Sequence, residues 1–252
     1  MLTKERLVYI INRLQVRPSI SVQELSKEMD VSLSTVQRDL RKLEKEKKIE
    51  RSRGGAISNT YSEILSGITE VAVSDKIHLH QDEKEIIAKN AAKLISDGEC
   101  IFLDSGTTIA HLVPYIMNKN ITIVTNSHFV LRKLAGCKGK IYMLGGVYNA
   151  KYDMTLGAST IAQMEMLRFD RIFISANGVD LKSREVYSIE SEIAIIKQVA
   201  MKRSKRKYLL VDDSKFNTKA IHTYAKLSDF DYVFTNAYPS EEKVFKNIVI
   251  CK

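Results

Sequence analysis

Two short apolar stripes at helical spacing, separated by a polar break, constrain the N-terminal part of this chain more than any other feature. The first stripe is Val22, Leu25 and Met29, and the second is Val36, Leu40 and Leu43. Residues 30–32 form a break short enough for one tight turn. Apolar residues that recur every three or four positions mark the buried face of a helix. The pattern predicts a helix-turn-helix, a motif whose second helix lies in the major groove of DNA.

The second predicted helix has a polar face rich in hydrogen-bond donors. Ser32 or Ser34 can cap its first turn, where backbone N–H groups and the positive end of the helix dipole suit a phosphate. Basic residues on an exposed helix often serve only solubility, so a solvated pair of amphipathic helices is the alternative. We favour DNA because the stripes, the turn and a basic segment just downstream occur together. The candidate DNA-binding residues on this helix are Ser34, Thr35, Gln37, Arg38, Arg41 and Lys42.

The basic segment downstream, residues 48–57, has the composition of a β-hairpin. Its two adjacent glycines suit a turn that needs positive φ. Its arginines at positions 51 and 53 are two residues apart, so in a strand both lie on one face, where they can meet the phosphate backbone. Residues 1–57 are therefore predicted to form a winged helix-turn-helix domain. The candidate DNA contacts of the wing are Arg51, Arg53, Gly54 and Gly55.

The distribution of charge agrees with a polyanionic partner at this end of the chain. The whole chain has a formal net charge of +9. Residues 1–57 hold 13 Lys and Arg against 8 Asp and Glu, a net charge of +5 in less than a quarter of the chain. A charge of this size is weak evidence by itself, but its position beside the predicted groove-binding helix favours double-stranded DNA as the partner.

The cysteine, histidine and hydropathy patterns argue against several classes of protein. Cys100, Cys137 and Cys251 are odd in number and lack metal-ligand spacing, which indicates a reducing compartment. The histidines stand apart from any cysteine or carboxylate at metal-ligand spacing. No apolar run approaches the roughly 20 residues that cross a bilayer, and no signal peptide is recognisable. We therefore expect a cytoplasmic protein with no membrane partner, no metal and no cofactor.

Beyond residue 75, short apolar runs alternate with helical patterns. The predicted strands are Cys100–Leu103, Ile121–Thr125, Lys140–Leu144, Arg171–Ser175, Lys207–Val211 and Tyr232–Thr235. The first predicted helix runs from about Asp82 and stops at Asp97-Gly98, and the others are Thr108–Met117, Phe129–Ala135, Ser159–Leu167 and Glu190–Ser204. This alternation predicts an α/β domain with a mainly parallel sheet, whose ligands bind at the carboxyl ends of the strands. Residues 58–74, which mix Ser, Thr and Gly, are predicted to link the first domain to this second domain, residues 75–252.

Polar or glycine-rich segments follow three successive predicted strands. After the first of these strands, residues 104–108 offer backbone N–H groups and three hydroxyls that suit a phosphate. An ordinary strand-to-helix turn, capped by the same residues, is the alternative. We favour an effector-binding site because the next two strand ends are also polar or glycine-rich. The candidate residues here are Asp104, Ser105, Gly106, Thr107, Thr108, Thr125, Asn126, Ser127, Gly145 and Gly146.

Two later segments add groups that suit a phosphorylated sugar. Residues 177–180 supply an amide and a carboxylate for sugar hydroxyls, so Asn177, Gly178 and Asp180 join the candidates. Lys215 follows another strand and can place a cation opposite a phosphate, although a solvated turn is the alternative. The acidic residues that open the preceding helix are better explained by the helix dipole than by ligand contact.

Six segments occur in one order along the chain: Val31–Leu40, Arg53–Ala56, Leu103–Thr108, Val124–Ser127, Leu144–Gly146 and Asp213–Phe216. In these segments, which span nearly the whole chain, the sequence resembles the DeoR family of bacterial regulators. The resemblance implies a Rossmann-like α/β sensor domain, similar to ribose-phosphate isomerases, that binds a phosphorylated sugar. It also implies a repressor of a sugar uptake or catabolic operon that binds operator DNA as a homodimer or homotetramer.

The chain departs from the usual family pattern at a few positions. Gln37 and Ser52 stand where the family usually has Arg and His, so the bases read at the operator are expected to differ. Residues 193–194 are Ile-Ala where the family usually has Glu-Ala, and Glu192 stands one position early. Glu192 is therefore left out of the candidate site.

Two other functions stay open. One is a sugar-phosphate isomerase-like enzyme that carries a DNA-binding module. Against it, Asn177 occupies the place of the first carboxylate in the loop of the isomerases that the domain resembles, and a neutral amide cannot act as a general base. The other is an activator, or a sensor of a non-phosphorylated ligand, and no residue of the sequence argues against it.

Overall fold

The computed structural model describes residues 3–16, 19–46, 48–52, 54–58, 76–77, 79–239 and 244–252. The chain separates into two compact units, with the division between Leu79 and His80. Of the segment predicted as a linker, residues 59–74 lie outside the described residues, and so does Arg53, a candidate DNA contact. The domain boundaries drawn from the sequence stay a prediction.

The N-terminal unit is a winged helix-turn-helix, as the stripes and the basic hairpin predict. Its helices are α1 (Thr3–Val16), α2 (Val22–Met29) and α3 (Leu33–Lys45), and its strands are β1 (Ser19–Ser21), β2 (Ile49–Ser52) and β3 (Gly55–Ser58). Strand β3 pairs antiparallel with both β1 and β2. Strands β2 and β3 form the wing, and β1 connects this small sheet to the start of α2.

Local caps set the limits of the two helices in the motif. Ser21 accepts a hydrogen bond from the Glu24 N–H at 3.1 Å, and the Glu24 carboxylate accepts one from the Ser21 N–H at 2.9 Å, a reciprocal box that starts α2. Asp30 ends α2 in the left-handed conformation, with φ at 53°. Ser32, rather than Ser34, caps α3, because its hydroxyl oxygen accepts the N–H three residues on, at 3.2 Å.

The two stripes pack against α1, a helix that the sequence analysis did not predict. Leu7, Ile10 and Leu14 form the buried stripe of α1. An ion pair also joins α1 to α3, since Arg6 Nε lies 2.6 Å from Asp39 Oδ2 and both side chains are largely buried. This pair and the apolar contacts fix one side of α3 in the core and leave its other side exposed.

Gly54 and Gly55 are required for different reasons. Gly54 has a φ of +90°, which residues with a side chain rarely adopt, and it makes the turn between β2 and β3. Gly55 lies so close to β1 that a Cβ atom would stand 2.2 Å from the Ile20 carbonyl oxygen. Positive φ explains the first glycine, whereas close strand packing explains the second.

The C-terminal unit is built on a parallel sheet covered on both faces. Its helices are α4 (Gln81–Ala92), α5 (Thr107–Leu112), α6 (His128–Lys133), α7 (Ala158–Glu165) and α8 (Ser191–Lys202). In the described residues the sheet has seven strands, in the order β15 (Ile248–Ile250), β14 (Tyr232–Thr235), β12 (Ser204–Leu210), β9 (Phe169–Ile174), β4 (Cys100–Leu103), β5 (Thr122–Thr125) and β6 (Lys140–Met143). The α/β class predicted from the alternating pattern is confirmed.

Alternate residues of the central strands enter two separate apolar clusters. Phe102 belongs to the cluster that includes α8, whereas Ile101 and Leu103 belong to the cluster that includes α4 and α5. Both faces of the sheet are therefore buried, which explains why its strands read as continuous apolar runs. None of the described helices is both long and apolar enough to cross a membrane.

Short strands that the sequence analysis did not predict add two smaller sheets beside the main one. Strands β7 (Val147–Asn149) and β8 (Met154–Leu156) form an antiparallel hairpin after β6. Strands β10 (Gly178–Asp180), β11 (Glu185–Ser188) and β13 (His222–Lys226) form the other small sheet. Both sheets come from the segments that follow the carboxyl ends of main-sheet strands.

The strand order reverses between β4 and β9. From β4 the chain adds β5 and β6 towards one edge, and from β9 it adds β12, β14 and β15 towards the other. In open parallel sheets, such a switch point leaves a crevice at the carboxyl ends of the two central strands, where ligands bind. The predicted effector segments after β4, β5 and β12 lie at this edge of the sheet.

Gly55→Ala is expected to lower the free energy of unfolding of the N-terminal unit by about 1–3 kcal/mol, because the added methyl forces β1 and β3 apart. Amide hydrogen exchange of the full chain measures each unit separately. Lys45→Ala, at an exposed position of the same unit, is the matched control and should change exchange little. Equal protection of β1 and β3 in Gly55→Ala and wild type would contradict the packing explanation.

Candidate functional site

The exposed face of α3 carries most of the predicted DNA contacts. Its exposed members are Ser34, Gln37, Arg38, Arg41 and Lys42, and Thr35 is half-buried. The opposite side of the helix is buried at Val36, Leu40 and Leu43. No ion pair within the described part of the chain occupies the three cations of the exposed face. The helix therefore presents free donors away from the core.

The wing presents its predicted contacts less openly. Arg51 is half-buried, and its NH1 lies 3.7 Å from Glu44 Oε2 of α3. The Arg51 Nε is buried and has no hydrogen-bond partner in the described residues. The two wing glycines serve the turn and the packing against β1, as described above. The helix α3 thus offers the larger set of accessible donors.

A buried ion pair joins the ends of β4 and β9 at the switch point. Asp104 follows β4 and is fully buried, and its Oδ2 lies 3.0 Å from Lys197 Nζ of α8. The Ser175 N–H and hydroxyl both donate to the same oxygen, at 3.0 and 2.8 Å. The Lys197 amine also donates to the Ser175 carbonyl oxygen at 2.6 Å. This network fixes the two strand ends together and anchors the loop that begins at Asp104.

The electrostatics of this network keep the Asp104 carboxyl ionised. Burial raises the pKa of this carboxyl, but the Lys197 charge and the Ser175 hydrogen bonds outweigh it, so the pKa lies below its usual value. Tyr224 completes the network, since its hydroxyl donates to the Ser175 carbonyl oxygen at 2.9 Å and its ring lies 5.3 Å from Lys197 Nζ. Burial and the nearby carboxylate raise the pKa of Tyr224 well above its usual value, which keeps the hydroxyl neutral.

The loop after Asp104 presents hydroxyls that the fold does not use. Ser105 and Thr107 are half-buried, and Thr108 is buried. Among the described residues the two threonine hydroxyls make no hydrogen bond, and the serine hydroxyl reaches only Asp104 Oδ1, at 3.5 Å. Gly106 packs against the end of β9, because a Cβ atom would lie 2.3 Å from the hydroxyl oxygen of the serine there. The three hydroxyls are therefore available to a ligand.

The end of β5 combines two occupied hydroxyls with an unpaired amide oxygen. Thr125 donates to the Leu103 carbonyl oxygen at 2.7 Å, and Ser127 caps α6. Asn126 is fully buried and donates through Nδ2 to the Thr155 carbonyl oxygen at 2.8 Å. The Asn126 Oδ1 is buried and has no hydrogen-bond partner in the part of the chain described. An unpaired buried acceptor is costly, so a donor from outside the chain would stabilise this side chain.

The candidate glycines are explained by close packing within the protein. The Gly145 N–H donates to Gln163 of α7 at 3.0 Å, and its carbonyl oxygen accepts from the Thr160 hydroxyl at 2.8 Å. A Cβ atom at Gly146 would lie 2.1 Å from the Thr160 hydroxyl oxygen, and one at Gly178 would lie 2.3 Å from a backbone carbonyl oxygen. These positions let helix and loop backbones come close, whether or not a ligand does.

The amide and the carboxylate of residues 177–180 also have protein partners. Asn177 Oδ1 accepts a backbone N–H from the segment before α8 at 3.2 Å. Asp180 is buried, and its Oδ2 lies 2.8 Å from Lys219 Nζ. The hydrogen bond from Lys219 lowers the pKa of the Asp180 carboxyl. Both groups hold the small sheet in place, and they stay candidates for ligand contact only as a prediction.

Lys215 places a cation after β12. It is half-buried at the end of the short 3-10 turn Asp213–Lys215, and its amine makes no hydrogen bond or ion pair with the described residues. The buried Asp212 caps this turn by accepting the Ser214 N–H at 3.2 Å. Burial raises the pKa of the Asp212 carboxyl, but the charge of Lys215 leads the effects that hold it below its usual value. The Lys215 amine thus interacts electrostatically with the buried Asp212 but keeps its hydrogen-bond donors available to an anion.

Four residues that the sequence analysis did not select belong to this end of the sheet. They are Ser175, Lys197 and Tyr224 of the buried network, and Lys84 of α4, which is buried and helps to lower the pKa of Asp212. One signal was present in the sequence, because Lys197 lies on the apolar stripe of α8 between Ile196 and Ala200. A lysine in such a stripe requires a buried partner. The partner itself, Asp104, is distant in sequence.

Hydroxyls, an amide oxygen and a cation therefore meet at one edge of the sheet. Strand β9 separates β4 from β12, so about 10 Å lies between the backbones of the two strands that the loop and Lys215 follow. Such a set can bind a small molecule that carries both an anionic group and hydroxyls. In the described residues, no cluster of three or more His, Cys, Asp or Glu is arranged to hold a metal.

Two family models match this chain. Residues 79–237 match the DeoR C terminal sensor domain, and residues 6–62 match the DeoR-like helix-turn-helix domain. The first match covers the main sheet through β14, and the second covers the helix-turn-helix and its wing.

The chain is also similar to individual proteins. The HTH-type transcriptional regulator FruR of Bacillus subtilis is 33% identical over 249 residues, which are 98% of this chain and 95% of that protein. The lactose phosphotransferase system repressor of Staphylococcus epidermidis is 33% identical over 242 residues, which are 95% of this chain and 94% of that protein. A solved ribose 5-phosphate isomerase A from Methanocaldococcus jannaschii is 18% identical, with a TM-score of 0.41 over 54% of each chain.

Lys197→Met is expected to lower the free energy of unfolding of the C-terminal unit by about 3–5 kcal/mol at pH 7, because it leaves the buried Asp104 carboxylate without its counter-charge. The pKa of Asp104 rises in the variant, so the loss becomes smaller as the pH falls and the carboxyl takes up a proton. In the wild type, the depressed pKa gives a stabilisation that is present above about pH 4 and lost as the pH falls further. Denaturant unfolding measured from about pH 2 to pH 8 covers both effects.

The double variant Asp104→Asn/Lys197→Met is the control for this prediction. It removes both charges together and should recover most of the stability that Lys197→Met loses. A loss that is the same at every pH, or that the second substitution does not relieve, would show that the lysine acts through packing and not through its charge.

Proposed function

The chain belongs to the DeoR family of transcriptional regulators, and we therefore propose that it represses a sugar uptake or catabolic operon and that a phosphorylated sugar controls this repression. The N-terminal unit binds operator DNA, and the C-terminal unit binds the sugar phosphate. One observation carries the choice of effector: the Lys215 amine and the hydroxyls of residues 105–108 lie at the carboxyl ends of β12 and β4, on one edge of the sheet.

The exposed face of α3 supports the DNA-binding half of the proposal. The exposed face carries three cations that can contact phosphates and base edges: Arg38, Arg41 and Lys42. A helix-turn-helix of this kind reads a short half-site, and two copies of the protein bind two half-sites one helical turn apart or a multiple of it. We assign a homodimer or homotetramer on this basis, acting in the cytoplasm, where an operator is reached.

The groups at the sheet edge support a sugar phosphate as the effector. A phosphate accepts hydrogen bonds from the hydroxyls and N–H groups of residues 105–108 and from the Lys215 amine. Asp104 adds no free negative charge against the ligand, because Lys197 neutralises it. The lactose phosphotransferase system repressor, by its name, acts on a sugar-uptake system, which agrees with this effector class.

The same geometry favours binding over catalysis. Asn177 cannot act as a general base, and its amide oxygen is occupied by a backbone N–H. The ionised Asp104 is buried in an ion pair and does not reach a ligand proton. We therefore assign the C-terminal unit a sensing role without turnover.

Ligand control follows from differential affinity. A sugar phosphate shifts the protein between an operator-binding and an operator-releasing arrangement only by the difference in its affinity for the two. A ligand that prefers one arrangement by a few kcal/mol is enough to change operator occupancy substantially. Release of the operator on sugar-phosphate binding makes the protein a repressor that is induced by its pathway.

Arg38→Ala is expected to weaken operator binding by about 1–3 kcal/mol, because an arginine near the start of a recognition helix most often reads a guanine. Fluorescence anisotropy with operator and with unrelated DNA separates this loss from a general phosphate contact. Lys45→Ala, exposed at the last residue of α3, should change specific binding much less. Unchanged operator binding by a folded Arg38→Ala variant would contradict the placement of α3 in the groove.

A phosphorylated sugar is expected to raise the melting temperature of the protein, whereas the same sugar without phosphate does not, because the free donors require an anion. A thermal-shift panel of hexoses and pentoses, each with its phosphate esters and with inorganic phosphate alone, measures this. Lys215→Ala should lose about 1.5–3 kcal/mol of binding free energy, as expected for a hydrogen bond to a charged group.

Lys202→Ala, an exposed lysine at the end of α8, is the matched control and should bind the ligand as the wild type does. Lys215→Ala should still bind its operator but should stay bound at sugar-phosphate concentrations that release the wild type. Equal stabilisation by free and phosphorylated sugars would overturn the phosphate site. Normal induction of Lys215→Ala would place the effector elsewhere.

A further inference from the structure

An exposed leucine opens the recognition helix. Leu33 is the first residue of α3, directly after the capping Ser32, and 49% of its surface is exposed. The apolar residues further along this helix, Val36, Leu40 and Leu43, are fully buried. Leu33 therefore does not serve the core as they do, and its exposure costs hydrophobic stabilisation that the free protein does not recover.

The neighbours of Leu33 on the helix surface are donors for nucleic acid. Gln37 lies one turn further on and is exposed, and positions four apart in a helix have Cβ atoms about 5–6 Å from each other. The exposed cations Arg38 and Arg41 continue this surface. The leucine thus lies at the N-terminal end of a positively charged face, where recognition helices meet base edges.

We propose that this pair of residues reads an A·T base pair in each half-site of the operator: Leu33 packs against the 5-methyl group of the thymine, and Gln37 bonds to the N6 and N7 edge of the adenine. The inference rests on the proposed operator-binding function and goes beyond it by naming the base pair and the two residues that select it.

The chemistry of the major groove selects this pair over the others. The thymine methyl is the apolar group that a base presents there, so it is the group that a leucine side chain can bury favourably. A G·C pair offers donors and acceptors at the same place, and a leucine would remove them from water without replacing their hydrogen bonds. The glutamine amide matches adenine, because it accepts from N6–H and donates to N7.

The spacing of the two side chains fits neighbouring groups of the groove. Base pairs are stacked about 3.4 Å apart along the duplex, and the two Cβ atoms are about 5–6 Å apart, so both side chains reach one base pair or its immediate neighbour. A long charged side chain at position 33 would hydrogen-bond to phosphates or base edges instead. A leucine cannot make these hydrogen bonds, so its favourable contact is with the thymine methyl group.

Base analogues test the leucine contact directly. The full chain is used to select its preferred duplex from a random DNA pool, and each thymine of the selected half-site is then replaced singly by deoxyuridine, which lacks only the 5-methyl group. At the one position that Leu33 contacts, the replacement should weaken wild-type binding about fourfold for each half-site that carries it, the effect of one buried methyl. Leu33→Ala should bind the thymine and deoxyuridine duplexes equally and should match the wild type on the duplex that carries deoxyuridine in both half-sites.

Matched variants and a second analogue complete the experiment. Val8→Ala removes an equally exposed apolar side chain from α1, 56% exposed, and should keep the full response to deoxyuridine. Replacing the adenine by 7-deazaadenine, which lacks the N7 acceptor, should weaken the wild type about fivefold and leave Gln37→Ala unaffected. Circular dichroism and binding to unrelated DNA confirm that each variant is folded.

Each result has a defined meaning. If the protein selects a duplex but no thymine-to-deoxyuridine change affects the wild type, or if Leu33→Ala keeps the fourfold difference, the leucine does not read a methyl and the inference is wrong. The same holds if the adenine analogue affects wild type and Gln37→Ala alike. A full chain that enriches no DNA sequence would overturn the proposed operator-binding function itself, and the inference with it.

Discussion

The ion pair between Asp104 and Lys197 determines what the C-terminal unit can do. It lies at the point where the strand order reverses, and it brings the ends of β4 and β9 together through the Ser175 backbone and hydroxyl. Because the carboxylate is neutralised inside the protein, the loop that follows it presents hydroxyls and N–H groups without an opposing negative charge. The same pair removes the most buried acid of the region from acid-base chemistry, which favours a sensor over an enzyme.

The N-terminal unit also contains an internal ion pair, but this pair has the opposite effect, because it leaves charged groups available on the surface. Asp39 is buried on the core side of α3 and is held by Arg6 of α1, so the helix is fixed on one side by charge as well as by apolar packing. Its outer side then carries cations with no partner in the described residues and an exposed Leu33. A rigidly held helix is pre-organised for a groove, because little backbone order has to be added on binding.

The periodic features of the fold were predictable from the sequence, and the long-range pairings were not. Local patterns predict the stripes of α2 and α3 and the apolar runs of β4, β5 and β6. Such patterns can be read from a single sequence. Helix α1 was missed, although its stripe at Leu7, Ile10 and Leu14 was visible.

At the site, the sequence shows that Thr125, Ser127 and Asp180 are polar at strand ends, but not that a carbonyl oxygen, a helix end and Lys219 already engage them. Lys197 could be recognised as a misplaced charge, yet its partner Asp104 lies on another strand and emerges only from the topology. The contacts of the candidate residues with DNA and effector stay predictions.

The order of strands in the main sheet has a consequence for how the protein is made. Strand β4 lies inside the sheet, but one of its two neighbours, β9, is synthesised more than sixty residues after it, whereas the strand pairings of the N-terminal unit join residues fewer than forty positions apart. Local contacts form fast and distant strand pairings form slowly, so the DNA-binding unit is expected to mature on the ribosome before the sensor closes. During that interval one edge of β4 has no partner, and an unpaired apolar edge is a template for association between chains. Synthesis that stalls between β6 and β9 would therefore yield a chain whose DNA-binding unit is folded, while its incomplete sensor unit tends to associate with other chains and cannot respond to a ligand.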